Sequence, residues 1–276
     1  MVKGGADRLG SRTYAAVAAP SADRARVTVR DVLSHCSGLP AHRSFYRTLQ
    51  GGPAYEAAIC AIPLEYPPRT RAVYSDLGFI LLGLVLARET PLAAQFDALV
   101  AGMDLGGPLR FHPPAAWRAH IAPTEQESWR GRLLVGEVHD RNAWALGGAA
   151  GHAGLFGTAG AVGAFARRLL TVLDGASDAV ERAGLAGFIS RQTGVPGSSR
   201  ALGWDTMVPG ASCGSRLSPR AFGHTGFTGT SLWIDPDRGL YVVLLTNRVH
   251  PSAHGPAIGG LRAAFHDAVV ADLDGR

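Results

Sequence analysis

The spacing of hydrophobic and polar residues predicts three helices in the first two thirds of the chain. A short helix begins after Thr28, a capping residue, and Ser-Gly-Leu-Pro at 37–40 is expected to end it. Residues 77–88 are almost entirely apolar, which is typical of a helix buried inside a domain. A third helix is predicted over residues 161–173, with Thr158 as its cap.

The end of the chain predicts a β-hairpin followed by a helix. Residues 229–234 and 240–246 are rich in β-forming residues, and Asp-Pro-Asp-Arg-Gly between them forms the turn. Pro256 marks the start of a helix in which apolar residues recur at helical spacing. We expect this helix to pack on the hairpin and the two together to bury Leu232, Ile234, Val243, Leu245, Leu261 and Phe265 in varying degree.

The remaining segments carry weaker patterns. Residues 1–26 are interpreted as an irregular N-terminal segment, and no linker divides residues 27–276, which are expected to form one domain. Residues 103–145 contain four prolines and are expected to be irregular. Six glycines between 147 and 160 predict a tight loop ahead of the third helix.

Composition excludes several classes of protein. A hydrophobic content of 46% in 276 residues supplies a core and excludes a disordered chain. The net charge is +5, but the 27 basic residues include a single lysine, Lys3, and the arginines are scattered, so a nucleic-acid partner is not expected. The most apolar run, residues 77–87, is shorter than the ~18 residues of a membrane span.

The cysteines and the first residues bear on the compartment. Cys36, Cys60 and Cys213 form no Cys-x-x-Cys pair and are interpreted as buried thiols in a reducing compartment. Residues 1–12 hold no apolar leader, so the chain as printed is expected to be cytoplasmic. The oligomeric state does not follow from the sequence.

Five segments, in order along the chain, carry a family resemblance. Together they resemble the serine β-lactamase and penicillin-binding-protein family, in particular its class C-like serine hydrolases, over about residues 27–270. The segments are VTVRDVLSHCSGLP (27–40), YSDLGFILLG (74–83), GEVHD (136–140) leading to GHAGLF (151–156), GHTGFTGTS (223–231) and VVLLTN (242–247).

The resemblance implies an α/β (α+β) fold, an antiparallel sheet flanked by helices, with a helical subdomain. It implies acyl-serine hydrolysis of a small-molecule or peptide substrate: an ester, an amide, a D-amino-acid peptide or a β-lactam. No metal and no organic cofactor are implied.

Tyr74 and Asp76 fall on the family's Tyr-x-Asn motif, whose tyrosine moves protons and whose asparagine binds substrate. A phenol needs a nearby cation before it acts as a base near neutral pH. Asp76 stands where the family has asparagine, and a carboxylate only accepts hydrogen bonds, which puts recognition of an amide substrate in doubt. Capping of the following helix is an equally good interpretation of Asp76.

His224, Thr225 and Gly226 match the family's strand motif in its histidine form, on the wall of the cleft opposite the tyrosine. A histidine there can orient a substrate carboxylate or pass a proton. Gly226 lets a substrate lie along the strand, and the backbone amide of Phe227 would serve the oxyanion hole. We therefore expect Tyr74 and His224 to face one cleft.

The family's nucleophile motif is missing from the printed sequence. No serine has a lysine three residues after it. Arginine follows at that spacing in Ser21-x-x-Arg24 and Ser44-x-x-Arg47, but a guanidinium stays protonated and cannot act as the base. The expectation is a chain truncated at its N-terminus, lacking the first strands and the nucleophile helix, and inactive by itself.

Three alternatives stay open. The chain could be a non-catalytic remnant or binding protein of the same fold. Gly-x-Ser-x-Gly around Ser212 fits the nucleophile elbow of an α/β-hydrolase esterase, although that motif needs a strand before it and a helix after it. His139, Asp140 and His152 could bind a metal, although hydrogen-bonded histidines explain them better.

Overall fold

The computed structural model describes residues 23–175, 178–255 and 257–276. In these ranges α-helices alternate with short strands. Three 3-10 helices lie at Arg24–Arg26, Phe45–Arg47 and Ala115–His120. The helices are α1 (Val29–Leu33), α2 (Gly52–Ala61), α3 (Asp76–Leu86), α4 (Leu92–Ala101), α5 (Arg141–Ala145), α6 (Ala159–Leu173), α7 (Ala179–Ile189) and α8 (Gly259–Asp274). The strands are β1 (Leu109–Arg110), β2 (Gln126–Glu127), β3 (Arg132–Leu133), β4 (Phe156–Gly157), β5 (Asp205–Thr206), β6 (Phe222–Thr225), β7 (Ser231–Asp235) and β8 (Leu240–Leu244).

The main sheet is antiparallel, with the strand order β5-β6-β7-β8. The predicted hairpin is confirmed as β7 and β8, which pair Leu232 with Val243. Because successive side chains point to opposite faces, Ile234 packs with α6 while Trp233 packs with Val270 of α8. Helices therefore flank the sheet on both faces, as the family resemblance implies.

The buried face of α8 differs from the predicted one. Leu261 is 59% exposed and Phe265 only half-buried, whereas Arg262 and His266 are buried together with Val270. The helix turns these polar side chains inward because they find partners at the start of β7. The Arg262 guanidinium donates to carbonyls at the β6–β7 turn, and His266 Nε2 lies 3.2 Å from the hydroxyl of Ser231.

The hairpin residues also differ in burial. Ile234 is buried and Leu232 and Val243 are half-buried, so these three follow the prediction. Leu245 is 42% exposed, because it lies beyond the last residue of β8 and outside the paired ladder.

Helix α3 confirms the predicted buried helix. Its side chains Leu77, Ile80 and Leu81 are buried against Tyr55 and Ile59 of α2 and form the core of the helical part of the molecule. An almost wholly apolar helix is what such a position requires, because neighbours cover it on several sides.

A pair of glycines lets α3 touch the glycine-rich loop at 147–154 backbone to backbone. A Cβ atom at Gly83 would lie 2.7 Å from the amide nitrogen of Gly151. A Cβ atom at Gly151 would lie 2.1 Å from the carbonyl oxygen of Phe79. The approach fixes this loop, and the residue after Gly151, against α3.

Gly151→Ala should therefore lower the free energy of unfolding by about 1–3 kcal/mol or more, because the new methyl overlaps main chain that cannot move without bending α3. Urea denaturation measures the effect. The matched control is Gly187→Ala in α7, where the added methyl meets open space and should stabilise the helix by up to ~1 kcal/mol. Equal stability of the Gly151 variant and the wild type would contradict the close approach.

A buried ion cluster holds the irregular stretch that contains β2 and β3. The side chain of Glu127 is 1% exposed and that of Arg130 is 2% exposed. The Glu127 carboxylate accepts from the amides of Trp129 and Arg130 and from the guanidiniums of Arg130 and Arg141. Burial alone would raise the pKa of Glu127, but these donors outweigh it and lower the pKa to about 2.

The same cluster ties β2 and β3 to α5. Arg130 also donates to the carbonyl oxygens of Val138 and His139. Its guanidinium lies over the ring of Trp144, which meets the ring of Trp129 edge to face with centroids 5.4 Å apart. The region predicted to be irregular, residues 103–145, thus contains little regular structure but is held together by buried ion pairs and hydrogen bonds.

Several boundaries differ from expectation. Helix α1 ends at Leu33, and the chain reverses at His35 (φ 57°) before it reaches Gly38 (φ 86°). The Thr158 cap is confirmed, although α6 starts two residues earlier than predicted. The N-terminal segment interpreted as irregular lies outside the described residues up to position 22.

Two compositional expectations concern membranes and thiols. Cys36 and Cys213 are buried, as predicted, whereas Cys60 is half-buried. Within the described ranges, each helix is too short or too polar to cross a membrane.

Candidate active site

His35 anchors the tyrosine segment. Its carbonyl oxygen accepts from the amide of Val73 (2.9 Å), and its Nδ1 accepts from the amide of Ser75 (3.1 Å). These two bonds explain how a non-glycine residue is held at positive φ. Burial, followed by the charge of Arg200 and of His224, lowers the pKa of His35 to about 3, so its ring is neutral.

Tyr74 projects from this anchored segment, with 41% of its surface exposed. Its ring packs on the ring of His35 with centroids 4.7 Å apart. The pKa of Tyr74 is raised, mainly by burial and next by the negative charge of Asp76, and the nearby Arg200 offsets only part of this. Near neutral pH the phenol therefore keeps its proton and can donate it.

His224 approaches Tyr74 from the central sheet. The two rings lie 6.0 Å apart, centroid to centroid, although the residues are far apart in the chain. The geometry thus brings the two predicted site residues together. His224 Nδ1 donates to the carbonyl oxygen of Thr225 (2.9 Å), which leaves Nε2 as an acceptor on the neutral ring. Burial and then the charge of Arg200 lower the pKa of His224.

Arg200 is a cation of this site that no sequence pattern singles out. Its guanidinium lies 5.7 Å from the centre of the Tyr74 ring. It pairs with Asp205, the first residue of β5 (3.6 Å). Because Arg200 follows an irregular stretch, only its tertiary position reveals it. It places one fixed positive charge beside the tyrosine and histidine rings.

The turn after His224 holds the predicted oxyanion residues. The amide of Gly226 donates to the carbonyl of Thr230 (2.8 Å), and a Cβ atom at Gly226 would lie 2.1 Å from the Thr230 hydroxyl, so any larger residue would have to displace that side chain. Arg262 clamps this turn from beneath by donating to the carbonyl oxygens of Gly226 (2.6 Å) and Thr230 (2.9 Å).

Phe227 lies two residues after the end of β6, and its side chain is 64% exposed. The guanidinium of Arg248 lies 4.5 Å from the ring centre, and the ring of His139 stacks on the Phe227 ring at 5.7 Å. Arg248 also holds the main chain of the turn, because its Nε donates to the carbonyl oxygen of Phe227 (2.7 Å). The turn is thus fixed by two arginines, neither of which the sequence pattern identified.

Asp76 does not cap α3. Ser75 is the cap, because its hydroxyl accepts from the amide of Gly78 (3.2 Å), so the capping interpretation of Asp76 was wrong. The Asp76 carboxylate instead lies 3.4 Å from Nδ1 of His42. Its oxygen is also within 4.8 Å of ligand atoms of Asp140 and His152.

The structure bears on the two alternative sites, the Gly-x-Ser-x-Gly motif at Ser212 and the grouping of His139, Asp140 and His152. Residues 207–221, around Ser212, contain no helix, and Ser215 beside it bonds to Asp267 of α8, so the strand-turn-helix of a nucleophile elbow is not formed. His139 bonds to Glu125 (2.9 Å), whereas His152 bonds to Asp140 (2.8 Å). The His139, Asp140 and His152 grouping is therefore divided.

Comparison with known proteins identifies the family of this chain and two of its relatives. The beta-lactamase family model matches residues 7–265. The chain is 27% identical over 286 residues to the "Putative D-alanyl-D-alanine carboxypeptidase" of Salmonella gallinarum, covering 91% of this chain and 65% of that protein. It is 30% identical over 262 residues to "N-acetylmuramyl-L-alanine amidase" of Bacillus subtilis, covering 84% and 58% respectively. The chain thus spans less than two thirds of either relative.

A solved structure supports the fold. A family VIII carboxylesterase matches with a TM-score of 0.62 at 20% identity, covering 90% of this chain and 72% of that one. This likeness and the family match confirm the expected β-lactamase-like arrangement of helices around an antiparallel sheet. The chain belongs to the beta-lactamase family.

Proposed function

We propose that this chain forms the tyrosine and histidine walls of an acyl-serine hydrolase site, and that the serine nucleophile comes from a Ser-x-x-Lys segment outside the printed sequence. The observation that carries the proposal is the meeting of Tyr74 and His224, two motif residues from distant segments, across 6.0 Å. Convergence of a proton donor and a proton acceptor on one cleft is what acyl transfer needs.

The need for an outside nucleophile follows from the residue types present. The printed sequence has a single lysine, Lys3, and no serine precedes it at the required spacing. Arg200, the cation beside Tyr74, cannot replace that lysine as a base, because a guanidinium does not lose its proton in proteins.

The groups in the cleft suit distinct roles. Tyr74, which keeps its proton, would donate to the leaving group. His224, with its free Nε2, would accept a proton or a substrate hydrogen bond. The hydroxyl of Thr225 would bind the substrate beside Gly226, and the amide of Phe227 would stabilise the oxyanion from a turn that two arginines hold in place.

The substrate class is an ester, an amide, a D-amino-acid peptide or a β-lactam. The names of the two relatives, which mention D-alanyl-D-alanine and muramyl-L-alanine, favour a substrate with an alanyl residue. Asp76 limits how such a substrate is bound, because a carboxylate cannot donate a hydrogen bond to a substrate carbonyl as the side-chain amide of asparagine would. It could accept from a substrate N–H instead.

The second candidate function is binding without catalysis. Arg200 favours it, because a fixed guanidinium beside the Tyr74 ring and close enough to influence His224 suits a ligand carboxylate whether or not a nucleophile is present. Under this alternative, Tyr74, His224 and Arg200 would form a recognition site, and no covalent intermediate would form.

Fluorescent penicillin and a fluorophosphonate probe test the proposal. The purified chain alone should form no covalent adduct with either probe. Added to a separately produced segment with a Ser-x-x-Lys helix, it should restore labelling of that segment's serine. Tyr74→Phe and His224→Ala should each slow this labelling by about 10²–10⁴-fold.

Ser212→Ala is the matched control and should leave restored labelling unchanged. Stoichiometric labelling of a serine in the chain alone would contradict the proposal and revive Ser212. Failure of the segment to restore labelling, with intact binding of an acyl-D-alanine peptide that Arg200→Ala abolishes, would favour the binding function.

A further inference from the structure

Arg262 is a buried cation without a carboxylate partner. It lies in α8 beneath the turn between β6 and β7 and is 8% exposed. Among the described residues no carboxylate pairs with its guanidinium, and its Nε has no hydrogen-bond partner. Burial, followed by the charge of Arg248, lowers the pKa of Arg262, but a guanidinium keeps its proton in proteins. The fold therefore holds a positive charge under this turn at a cost in stability.

A second arginine adds to the positive charge of the turn. Arg248 is half-buried, and its guanidinium donates to the carbonyl oxygens of Phe227 (2.7 Å) and Ala253 (3.4 Å) rather than to a carboxylate of the described residues. Because the two guanidiniums repel each other, their placement on one turn is unfavourable until a negative charge forms nearby.

The carbonyl oxygens of residues 226–230 all accept hydrogen bonds from other parts of the chain or from the turn itself. The oxygen of Gly226 accepts from Arg262 (2.6 Å) and from the amide of Gly229 (3.1 Å). The oxygen of Thr230 accepts from Arg262 (2.9 Å) and from the amide of Gly226 (2.8 Å). The oxygens of Phe227, Thr228 and Gly229 accept from the Arg248 side chain, the Arg248 amide and the Thr246 hydroxyl, respectively. The peptide groups of the turn are therefore fixed in direction.

The peptide group between Gly226 and Phe227 links Arg262 to the predicted oxyanion donor. This peptide group is trans, so the carbonyl of Gly226 and the N–H of Phe227 lie at opposite ends of one plane. Because the carbonyl points at the Arg262 guanidinium, the N–H points away from α8. No acceptor among the described residues occupies this N–H, and a strong hydrogen bond to the carbonyl polarises it.

We propose that Arg262 is a positioning residue of the oxyanion hole, which holds the Phe227 amide ready for the substrate carbonyl and whose missing counter-charge is the oxyanion itself. The inference rests on the proposed function. When the serine oxygen of the outside segment bonds to the substrate carbonyl carbon, the serine proton passes to the lysine of that segment. The electron pair of the C=O bond moves to the carbonyl oxygen, and Arg262 stabilises this charge through the peptide group without touching the substrate.

Arg262→Met separates positioning from support of the fold. Both carbonyls that Arg262 binds keep a main-chain donor in this variant, and a buried unpaired charge is removed. The free energy of unfolding should therefore equal or exceed that of the wild type. Fluorophosphonate labelling in the presence of the Ser-x-x-Lys segment should nevertheless slow by about 10²-fold, the usual effect of slightly misplacing a reacting group.

Two further variants complete the comparison. Arg262→Lys keeps the charge and a donor, so its labelling should be faster than that of Arg262→Met. Arg118→Met is the matched control, because Arg118 also donates to a main-chain carbonyl, that of Val135 (2.9 Å), which is not part of the turn. Its labelling rate should equal that of the wild type.

Nuclear magnetic resonance of the chain alone supplies a measurement that requires no nucleophile. Arg262→Met should move the carbonyl-carbon resonance of Gly226 upfield and shift the amide resonance of Phe227, whereas Arg118→Met should leave both in place. Unchanged resonances in Arg262→Met, or labelling of that variant at the wild-type rate, would overturn the inference. Parallel losses of stability and labelling would overturn it too, since they would make Arg262 a support of the fold alone.

The proposed function fails by a different result. If the segment did not restore labelling of the wild type, the assignment of an acyl-serine hydrolase would be contradicted. The two resonances would then decide by themselves whether Arg262 holds the peptide group between Gly226 and Phe227.

Discussion

Glu127→Gln should destabilise the chain by about 3–5 kcal/mol, the usual cost of breaking a buried ion pair by removing one partner. Arg130, whose side chain is 2% exposed, would lose its hydrogen-bonded carboxylate and keep only the longer ion pair with Glu137 (3.6 Å). The new amide nitrogen would also face the guanidinium of Arg141 at the position of a 2.6 Å hydrogen bond. Urea denaturation at neutral pH measures the loss.

Glu181→Gln is the matched control for this change. Glu181 pairs with Arg168 at the surface, where the two side chains are 47% and 40% exposed, and the pair should contribute no more than ~1 kcal/mol. If the two variants lost the same amount of stability, the cluster around Glu127 would not be the anchor that its burial indicates.

Stability should also fall as the pH decreases from 6.5 towards 3, in large part because of His35. The pKa of His35 is lowered from 6.5 to about 3 in the folded chain, so the unfolded chain binds the proton first. The contribution of the neutral ring is therefore fully present above pH 6.5 and decreases by roughly 1.4 kcal/mol per pH unit below it. His266, with its pKa lowered to about 4, acts in the same direction.

His35→Asn isolates the contribution of this ring. Asparagine tolerates the positive φ at position 35, and its side-chain oxygen can accept from the amide of Ser75. Between pH 7 and pH 5 the wild type should lose about 2 kcal/mol more stability than this variant. The control is His254→Asn at an exposed position, which should follow the wild type. Parallel curves for wild type and His35→Asn would disprove the assignment.

The sequence predicted those parts of the fold that local pattern decides. Helix α3 and the hairpin of β7 and β8 follow from an apolar run and from β-forming residues on either side of a turn. In the candidate site, Tyr74 and His224 were found through motifs of neighbouring residues. Such features depend on residues a few positions apart, which a single sequence displays.

The features that the sequence did not reveal depend on distant partners. The inward face of α8 carries Arg262 and His266 because carbonyl and hydroxyl groups of another segment satisfy them, and periodicity alone favoured Leu261. Arg200 enters the site from an irregular segment. The cap of α3 fell to Ser75 because its hydroxyl, rather than the Asp76 carboxylate, reaches the amide of Gly78.

The guanidinium of Arg130 offers a direct measure of local opening in the segment from Glu127 to His139, which its hydrogen bonds hold together. Its N–H groups donate to Glu127, Val138 and His139 and are shielded from solvent. Their hydrogens can exchange with deuterium only when this segment detaches from the rest, so their exchange rate reports the free energy of that opening apart from global unfolding.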